Sequence, residues 1–342
     1  MRCPTLAELP PPPPGKTGWP WTEETPASAK LAASTLPRIS VVTPSYMQAE
    51  YLEETIRSVL LQGYPNLEYF ILDGGSKDGS ADIIQRYQPW LAGWRSSRDD
   101  GQSATINEGW KQATGDIIAW INSDDTYHPN ALLTAGETFS KSTEVRWLGG
   151  IVDDCHADGR FLKRHLPAGA NLTESLGRRA PGYHQPGMFW RRAVLDQIGY
   201  LDSSLNYVFV HEFWVRSAMA GLQMTVLNQP IANFRLHSMS KTVSRHPLFL
   251  EEDWKVFRRH APKLAPEEQK AAKAWLEDYE ADRLLTTIYG MLSEGQRGKA
   301  IRHLAARACL LKLLRPRKLV LGLFWRVFVT GCPPEWAVRK SE

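Results

Sequence analysis

Short apolar segments alternate with amphipathic segments between residues 38 and 133. Three apolar runs rich in β-branched residues have the length of buried strands, and the segments between them repeat apolar residues at helical spacing. In chain order, the expected elements are strand 39–43, helix 52–62, strand 69–72, helix 81–87, helix 103–114 and strand 117–121. This alternation predicts an α/β fold with a mostly parallel central sheet and helices on both of its faces.

Each of the three expected strands is followed by polar residues. These are Pro-Ser-Tyr at 44–46, Asp-Gly-Gly at 73–75 and Ser-Asp-Asp at 123–125. The carboxyl ends of parallel strands meet at one edge of a sheet, and ligands of such sheets bind in the crevice beyond that edge. The pattern therefore predicts one site that is built from all three segments.

The pattern changes outside this region. Residues 1–37 contain a proline run and form an expected N-terminal arm, whereas residues 134–245 mix short strands and helices. Strands are expected at 145–152, 188–190 and 224–227, and helices at 192–198 and 212–220. Residues 246–342 are mainly helical in pattern, with helices expected at 251–260, 266–289, 297–314 and 316–329.

Composition excludes several classes of protein. The chain has 342 residues, of which 43% are hydrophobic and 23% charged, a globular balance. Its net charge of +4 gives no support for nucleic-acid binding. The 4 cysteines are far apart and form no CxxC pair, which favours a reducing, cytoplasmic compartment. The 13 tryptophans are unusual, and we expect most of them to pack in the core.

Adjacent carboxylates at a strand end predict a cation. Asp124 and Asp125 would repel each other unless a positive charge neutralises them, and oxygen ligands suit Mg²⁺ or Mn²⁺ bound together with substrate phosphates. A solvated turn is the alternative interpretation of this pair. Asp73 could accept a hydrogen bond from a ribose or a base, or could simply form a turn with Gly74 and Gly75.

Other motifs fail on inspection. Gly15-Lys16-Thr17 lacks the earlier glycine and the preceding strand of a phosphate-binding loop. No GxGxxG follows the strand at 39–43, which argues against a dinucleotide-dependent oxidoreductase. A nucleotidyltransferase would need a glycine-rich loop at the same place, where the chain has Thr-Pro-Ser at 43–45.

Taken in order and spacing, the motifs resemble the nucleotide-binding half of a family 2 glycosyltransferase of the GT-A fold. The matching segments are ISVVTPSY at 39–46, LEETIRSVLLQ at 52–62, DGGSKDGS at 73–80, GDIIAWINSDD at 115–125 and Pro129. Weaker matches continue to residue 242, namely QPGMFWRR at 185–192, EFWVR at 212–216 and RLHSMSKT at 235–242.

The resemblance implies a GT-A fold with a helical C-terminal extension. It divides the chain into the arm at 1–37, a nucleotide-sugar-binding half at 38–133, an acceptor-binding half at 134–245 and the extension at 246–342. The implied activity is metal-dependent transfer of a hexose, with inversion, from a nucleotide diphosphate sugar to an acceptor hydroxyl. A UDP-sugar is the favoured donor, and a saccharide or lipid-linked acceptor places the reaction in polysaccharide or glycolipid synthesis.

The resemblance also implies roles for particular residues. The implied nucleotide-binding residues are Pro44, Tyr46, Asp73, Asp99 and Asp124, and the implied ligands of Mn²⁺ or Mg²⁺ are Asp125 and His237. The Tyr46 ring would lie against the base, and Asp124 would approach the ribose. His237 would complete the metal site or touch the diphosphate, although a lone histidine is often structural.

The catalytic base is the point at which the chain departs from the family pattern. When Trp214 and Arg216 are aligned, the usual base position falls on Val210. Glu212 is then the nearest carboxylate and the expected base. It could instead be an acid that is favoured at a helix start by the helix dipole. Because of Val210, a catalytically impaired protein that only binds sugar nucleotides is the alternative function.

The C-terminal segment 297–329 combines basic residues with Leu, Val, Phe and Trp. This composition is typical of a helix that lies on an anionic membrane surface. It fits equally a helical cap packed on the core with its basic face in water. No stretch reaches the ~20 apolar residues of a spanning helix. The segment therefore predicts peripheral contact with the inner face of the membrane at most.

Overall fold

The protein is described by a computed structural model. It describes residues 3–26, 36–169, 171–178, 184–241, 246–293, 295–306, 323–324 and 326–330. The chain divides into two compact units. The sheet unit comprises Met1–Asn171 and Ala180–Asp253, and the helical unit comprises Leu172–Arg179 and Trp254–Glu342.

The elements follow the expected order, with several additions. The strands are β1 (Ile39–Ser45), β2 (Leu67–Asp73), β3 (Gly93–Ser96), β4 (Ile117–Trp120), β5 (Thr126–Tyr127), β6 (Trp147–His156), β7 (Phe161–His165), β8 (Met188–Arg191) and β9 (Met224–Leu236). The helices are α1 (Ala49–Leu60), α2 (Ser80–Tyr87), α3 (Gln102–Gln112), α4 (Ala131–Lys141), α5 (Leu172–Leu176), α6 (Val194–Ile198), α7 (Phe209–Met219), α8 (His246–His260), α9 (Pro266–Ser293) and α10 (Arg297–Ala306).

One sheet runs through the sheet unit in the order β3-β2-β1-β4-β8-β6-β9-β5, and β7 pairs with β6. The strands β1 to β4 are parallel, as expected. Every residue of β1 is buried, which is why this strand appears in the sequence as a continuous apolar run. In the second half the pairing is mixed, because β8 is antiparallel to both β4 and β6 whereas β6 and β9 are parallel.

The expectation of a strand at 224–227 is too short, because β9 continues to Leu236. Its middle contains Asn228, Gln229 and Pro230, which interrupt the apolar pattern. The register against β6 shifts between Gly149 and Ile151, opposite this stretch, and the irregularity accommodates the proline. Strands β3 and β7 were not expected, since they are exposed or half-buried edge segments with little apolar content.

Tryptophans fill the centre of the sheet unit. Trp120 on β4 stacks on Trp190 of β8 with ring centroids 5.4 Å apart, and Trp190 stacks on Trp147 of β6 at 6.2 Å. Trp110 meets Trp120 edge-on at 5.3 Å. These rings and the ring of Trp214 are buried. Core packing therefore accounts for these tryptophans, and neither Trp190 nor Trp214, both in the implied acceptor-binding half, presents a face on which a sugar could stack.

The described part of the N-terminal arm, residues 3–26, packs on the sheet unit. Arg57 of α1 is fully buried and donates to the carbonyls of Pro10, Pro20 and Trp21 at 2.9 to 3.0 Å. The indole Nε1 of Trp19 donates to the carbonyl of Tyr127 at 2.8 Å. Arg57 of the core thus donates to the arm, and Trp19 of the arm donates to the core. Residues 3–26 therefore pack as part of the sheet unit.

The helical unit has its own apolar core. Side chains of α9 and α10 meet there, among them Leu284, Ile288 and Leu304, together with Leu323 and Val327. The helix expected at 297–314 is described as far as Ala306, and residues 307–322 lie outside the described residues. Among the described helices, none is both long and apolar enough to cross a bilayer.

Candidate active site

Tyr46 lies at the carboxyl end of β1, beside the end of β2. Pro44 is buried within β1, beyond the last residue that pairs with β4, so its missing N–H interrupts no ladder there. The Tyr46 side chain is 65% exposed, and its ring lies over Gly74, where an added Cβ would come within 3.1 Å of it. The same Cβ would lie 2.9 Å from Oδ2 of Asp99. The side chains of Tyr46 and Asp99 thus both pack closely against Gly74.

Asp73 is enclosed by its own loop. Its Oδ2 accepts hydrogen bonds from the backbone N–H of Gly75 and Ser76 at 3.0 and 2.8 Å, and from Oγ of Ser96 at 2.6 Å. Its Oδ1 accepts from Oγ of Ser76 at 2.5 Å. With no exposed surface, this carboxylate shapes the loop at 73–76, and a direct ligand contact stays a prediction.

Asp99 organises the start of α3. Its Oδ1 accepts from the N–H of Gly101 at 3.0 Å, and its Oδ2 accepts from Oγ1 of Thr105 at 2.7 Å. Gly101 has a φ of +103°, a backbone conformation that favours glycine. The turn presents the carboxylate of Asp99 toward Gly74 and Tyr46.

Asp124, Asp125 and His237 come together at the end of β4. Oδ2 of Asp124 and Nε2 of His237 lie 2.9 Å apart, so the histidine contacts Asp124 directly. Asp125 is 1% exposed, and its Oδ1 accepts from the backbone N–H of Arg235 at 3.0 Å. Burial, followed by the charge of Asp124, raises the pKa of Asp125 well above its usual value. A bound cation would relieve this conflict.

The pairing of β5 with β9 explains why these distant residues meet. Thr126 and Tyr127 pair with Asn233 and Ala232, which sets the preceding aspartates beside the end of β9. Sequence patterns could not show this pairing, since β5 has only two residues and β9 was expected to end at 227.

Arg235 holds this corner together. Its Nε donates to the carbonyl of Asp124 at 2.9 Å, and its Nη2 pairs with Oε1 of Glu54 at 3.1 Å. The guanidinium lies 5.1 Å from the ring centroid of Tyr51, which also contacts His237 at 4.7 Å. Arg235 is 3% exposed, so it supports the site from behind and does not present its charge to a ligand. Sequence reasoning missed Glu54 and Tyr51, which occupy an ordinary amphipathic helix.

A chain of amides extends the site toward α3. Nδ2 of Asn122 donates to Oδ2 of Asp125 at 3.0 Å and to Oε1 of Gln185 at 3.3 Å. Its Oδ1 accepts from Nε2 of Gln102 at 2.8 Å, and the Oε1 of Gln102 accepts from Nζ of Lys241 at 3.0 Å. Lys241 is thereby positioned on the same side of the sheet as the aspartates and is exposed to solvent.

Glu212 lies in the first turn of α7 and is 2% exposed. Both carboxylate oxygens accept from Nε of Arg216, at 2.8 and 2.9 Å. Arg216 also donates to the carbonyls of Ile198 and Tyr200. The pair therefore links α7 to the turn that follows α6, and the role of Glu212 as a base stays a prediction.

Comparison with known proteins adds to this geometry. Residues 40–199 match the family model described as glycosyl transferase family 2. The chain therefore contains a segment, residues 40–199, that is similar to glycosyl transferase family 2. The match contains β1 to β4, the aspartate pair and the Gln185 turn.

Relatives in other organisms carry the same assignment. An uncharacterized glycosyltransferase of Nostoc sp. is 25% identical over 228 residues, which cover 64% of this chain and 70% of that protein. The glycosyltransferase AglE of Haloferax volcanii is 29% identical over 205 residues, covering 58% of this chain and 67% of that protein. These similarities support the glycosyltransferase class for this chain.

Solved structures show the same fold. S. aureus TarS 1-349 in complex with UDP-GlcNAc superposes with a TM-score of 0.56 at 18% identity, covering 89% of this chain and 92% of that chain. The mannosyltransferase PcManGT of Pyrobaculum calidifontis in complex with GDP-Man and Mn²⁺ gives a TM-score of 0.56 at 17% identity, covering 93% and 88%. At these identities the likeness establishes the GT-A fold and the helical extension.

Proposed function

We propose that this glycosyltransferase transfers a hexose with inversion from a nucleotide diphosphate sugar, a UDP-sugar being favoured, to the hydroxyl of a saccharide or lipid-linked acceptor. The observation that carries the proposal is the contact of His237 with Asp124, next to buried Asp125, at the edge of the sheet where the parallel strands β1, β2 and β4 end. TarS was solved with UDP-GlcNAc and PcManGT with GDP-Man, which supports a nucleotide sugar as donor.

A divalent ion fits the aspartate site on the chemistry of its donors. Asp125 is buried beside a second carboxylate, and oxygen ligands of this kind suit Mn²⁺ or Mg²⁺. Asp125 and His237 would hold the ion, which when bound would stabilise the negative charge of the departing diphosphate. The Mn²⁺ in the PcManGT complex supports this assignment.

The protein's own residues would then bind and orient the donor. The Tyr46 ring would stack on the base, Asp99 and Asp73 would fix the base and ribose edge of the site, and Pro44 would line it. Oδ2 of Asp124 contacts His237, and Oδ1 would accept a hydrogen bond from a ribose hydroxyl. Lys241, carried by Gln102, would face the phosphates.

Glu212 is the proposed base that accepts the acceptor proton as the new glycosidic bond forms. Both oxygens of Glu212 already accept from the Arg216 guanidinium. To act as the base, Glu212 must take the acceptor proton while it keeps or breaks this contact. That contact, together with Val210 at the usual base position, favours a second candidate function. In this alternative the protein binds sugar nucleotides with impaired transfer.

Release of nucleoside diphosphate tests the proposal. Full-length protein is incubated with UDP- and GDP-sugars and Mn²⁺, with and without saccharide acceptors. We expect turnover with one donor, and we expect Asp125→Ala to lower it at least ~100-fold, since metal-assisted charge stabilisation is worth several kcal/mol. Asp196→Ala, an exposed acid on α6, is the matched control and should retain activity.

Donor binding separates the two candidate functions. A donor present at ~100 times its Kd stabilises the folded state by about 2.7 kcal/mol, which raises the melting temperature whether or not turnover occurs. A melting shift without release of nucleoside diphosphate for any acceptor tried would favour the impaired binding protein. Undiminished release by Asp125→Ala would refute the metal role.

A further inference from the structure

A second cluster of ligand-type side chains lies apart from the aspartate site, at the β6–β7 hairpin. Asp154 lies near the end of β6 and His165 ends β7, and the pairing of Val152 with His165 and of Asp154 with Lys163 puts both side chains on one face. His184 precedes the turn that leads into β8. One ligand atom from each of Asp154, His165 and His184 lies within 4.8 Å of the other two.

The contacts within this cluster are close. Nε2 of His165 lies 2.7 Å from Oδ2 of Asp154, and Nδ1 of His184 lies 3.9 Å from Oδ1 of the same carboxylate. The two imidazole rings have centroids only 3.8 Å apart. These contacts bring the two imidazoles and one carboxylate together, and imidazole nitrogen is a common metal ligand.

The Asp154 carboxylate is incompletely satisfied. The residue is 8% exposed, and its Oδ1 is buried without a hydrogen-bond donor among the residues that the structure describes. A buried acceptor left in this state is costly, and an unexplained one calls for a missing partner. The neighbouring Asp153 differs, since Arg164 donates to both of its oxygens at 2.7 Å.

The local backbone contributes to this arrangement. The register of β6 against β7 shifts between Asp154 and Cys155, and such bulges redirect side chains at a sheet edge. His184 is held from the other side by an edge-to-face contact with Phe234 of β9, with centroids 5.8 Å apart. Three separate segments of the chain thus meet at the carboxylate of Asp154.

We propose that Asp154, His165 and His184 bind a divalent transition-metal ion of the Zn²⁺ type. Two imidazoles and one carboxylate form a ligand set that leaves a position open, as in catalytic zinc sites and in the two-histidine, one-carboxylate iron sites. Tetrahedral ligands with bonds of about 2.0–2.1 Å lie roughly 3.3 Å apart, between the 2.7 and 3.9 Å separations found here. Mg²⁺ and Ca²⁺ prefer sets made of oxygen alone, so they do not suit this cluster.

The bound ion would connect the hairpin to the aspartate site. His184 is followed directly by Gln185, which accepts from Asn122 and donates to the carbonyl of Trp120 at 2.6 Å. Asn122 in turn donates to Asp125. Metal binding would restrain His184 and, through Gln185, the side chain of Asn122, which contacts Asp125. Asp125 is the proposed ligand of the ion at the aspartate site.

Metal titration in the full-length chain tests this proposal without reference to catalysis. Protein carrying Asp125→Ala, which removes the other cation site, is freed of metal with EDTA and titrated with Co²⁺, whose visible spectrum reports coordination by nitrogen and oxygen. We expect one Co²⁺ per chain, displaced by one Zn²⁺. Adding His184→Gln or His165→Asn should weaken binding at least ~100-fold, since even outer-shell changes cost 10–100-fold.

The matched control is His156→Gln, which changes a histidine at the end of β6 that is outside the cluster. It should bind Co²⁺ as the parent does. Unchanged Co²⁺ affinity after loss of His165 and His184 would overturn the proposal, as would the absence of stoichiometric Zn²⁺ uptake by the parent.

A direct measurement covers the case in which the variants fail to fold. X-ray absorption on the unaltered chain loaded with one Zn²⁺ should show two imidazoles among ligands at about 2.0–2.1 Å. A ligand shell without imidazole pairs would place the ion elsewhere and refute the site.

Discussion

The side chain of Asp125 combines two conditions that disfavour its charged form. It is buried, and it follows another carboxylate directly in the chain, so both effects raise its pKa. Such a group is unfavourable in the metal-free protein and becomes favourable when a cation arrives. If Asp125 ligates the proposed ion, metal binding therefore depends on pH and changes the stability of the fold.

We expect Mn²⁺ to raise the melting temperature more at pH 8 than at pH 5. Because the pKa of Asp125 is raised, the metal-free folded protein retains this proton above the pKa of the unfolded chain. The resulting stability is present at low pH and is lost as the pH rises through the raised pKa. Mn²⁺ needs the carboxylate, so protons compete with it at pH 5. Thermal melts at both pH values measure the difference.

The control for this prediction is Asp125→Asn, in which the pH-dependent part of the Mn²⁺ effect should vanish. Equal Mn²⁺ shifts at pH 5 and pH 8 in the unaltered protein would show that Asp125 does not ligate the ion.

The second prediction at this scale concerns Glu212. If it is the base, Glu212→Gln lowers turnover at least ~10²-fold while donor binding survives, the range expected for general base catalysis. Arg216→Met is the matched variant, because it breaks the same ion pair and leaves the carboxylate in place. The base role predicts that only Glu212→Gln loses the dependence of kcat on a basic group in the pH profile. Equal losses of turnover and of melting temperature in both variants would assign the pair to structure alone.

At the scale of elements, α1 and the N-terminal arm are joined through one buried cation. Arg57 serves carbonyls at Pro10, Pro20 and Trp21, and its Nη1 also lies 3.1 Å from the hydroxyl of Tyr87, to which it donates. An arginine presents five N–H groups in a fixed plane and suits several carbonyls at once. The arm is thus held by Arg57, and the helical pattern of α1 gives no indication of this role.

We expect Arg57→Met to destabilise the protein by about 3 kcal/mol or more, because several buried carbonyls lose their donor and each unsatisfied group costs about 1–3 kcal/mol. Chemical denaturation with urea measures the change. Arg86→Met, which removes an exposed ion pair with Glu53 from the neighbouring α2, is the control and should cost less than about 1 kcal/mol. Similar losses in the two variants would contradict the anchoring role of Arg57.

At the scale of the whole molecule, the helical unit raises the question of a membrane surface. Within segment 297–329, residues 307–322 and residue 325 lie outside the described residues. Among those described, Phe324 and Phe328 are 41% and 46% exposed, and their rings stack with centroids 5.5 Å apart. Exposed aromatic rings within a basic segment are what interfacial binding requires.

We expect the full-length protein to float with vesicles that contain anionic lipid and not with neutral ones, since basic residues contribute about 1 kcal/mol each near such a surface. Replacing both rings, Phe324→Ser with Phe328→Ser, should abolish flotation. Phe161→Ser, which removes an exposed ring of β7 in the sheet unit, should not change it. Flotation that survives the double replacement would assign the segment to a helical cap.

The sequence by itself determined the local elements and the chemistry at their ends. Buried parallel strands such as β1 need continuous apolar runs, and the polar residues that follow them must lie at one edge, so Tyr46, Asp73 and Asp124–Asp125 could be found by pattern. The family motifs then added Asp99 and His237. These features are encoded within a few consecutive residues, which is the range over which periodicity carries information.

Only the tertiary structure decided which distant residues meet. The two-residue strand β5 pairs with a strand more than a hundred residues later, and this pairing brings Arg235 and His237 to the aspartates. Arg57 donates to carbonyls of the arm, Glu212 pairs with Arg216, and Asp154 contacts two histidines from other segments. Hydrogen-bond partners of this kind depend on how the elements pack against one another. The linear pattern of apolar and polar positions does not specify that packing.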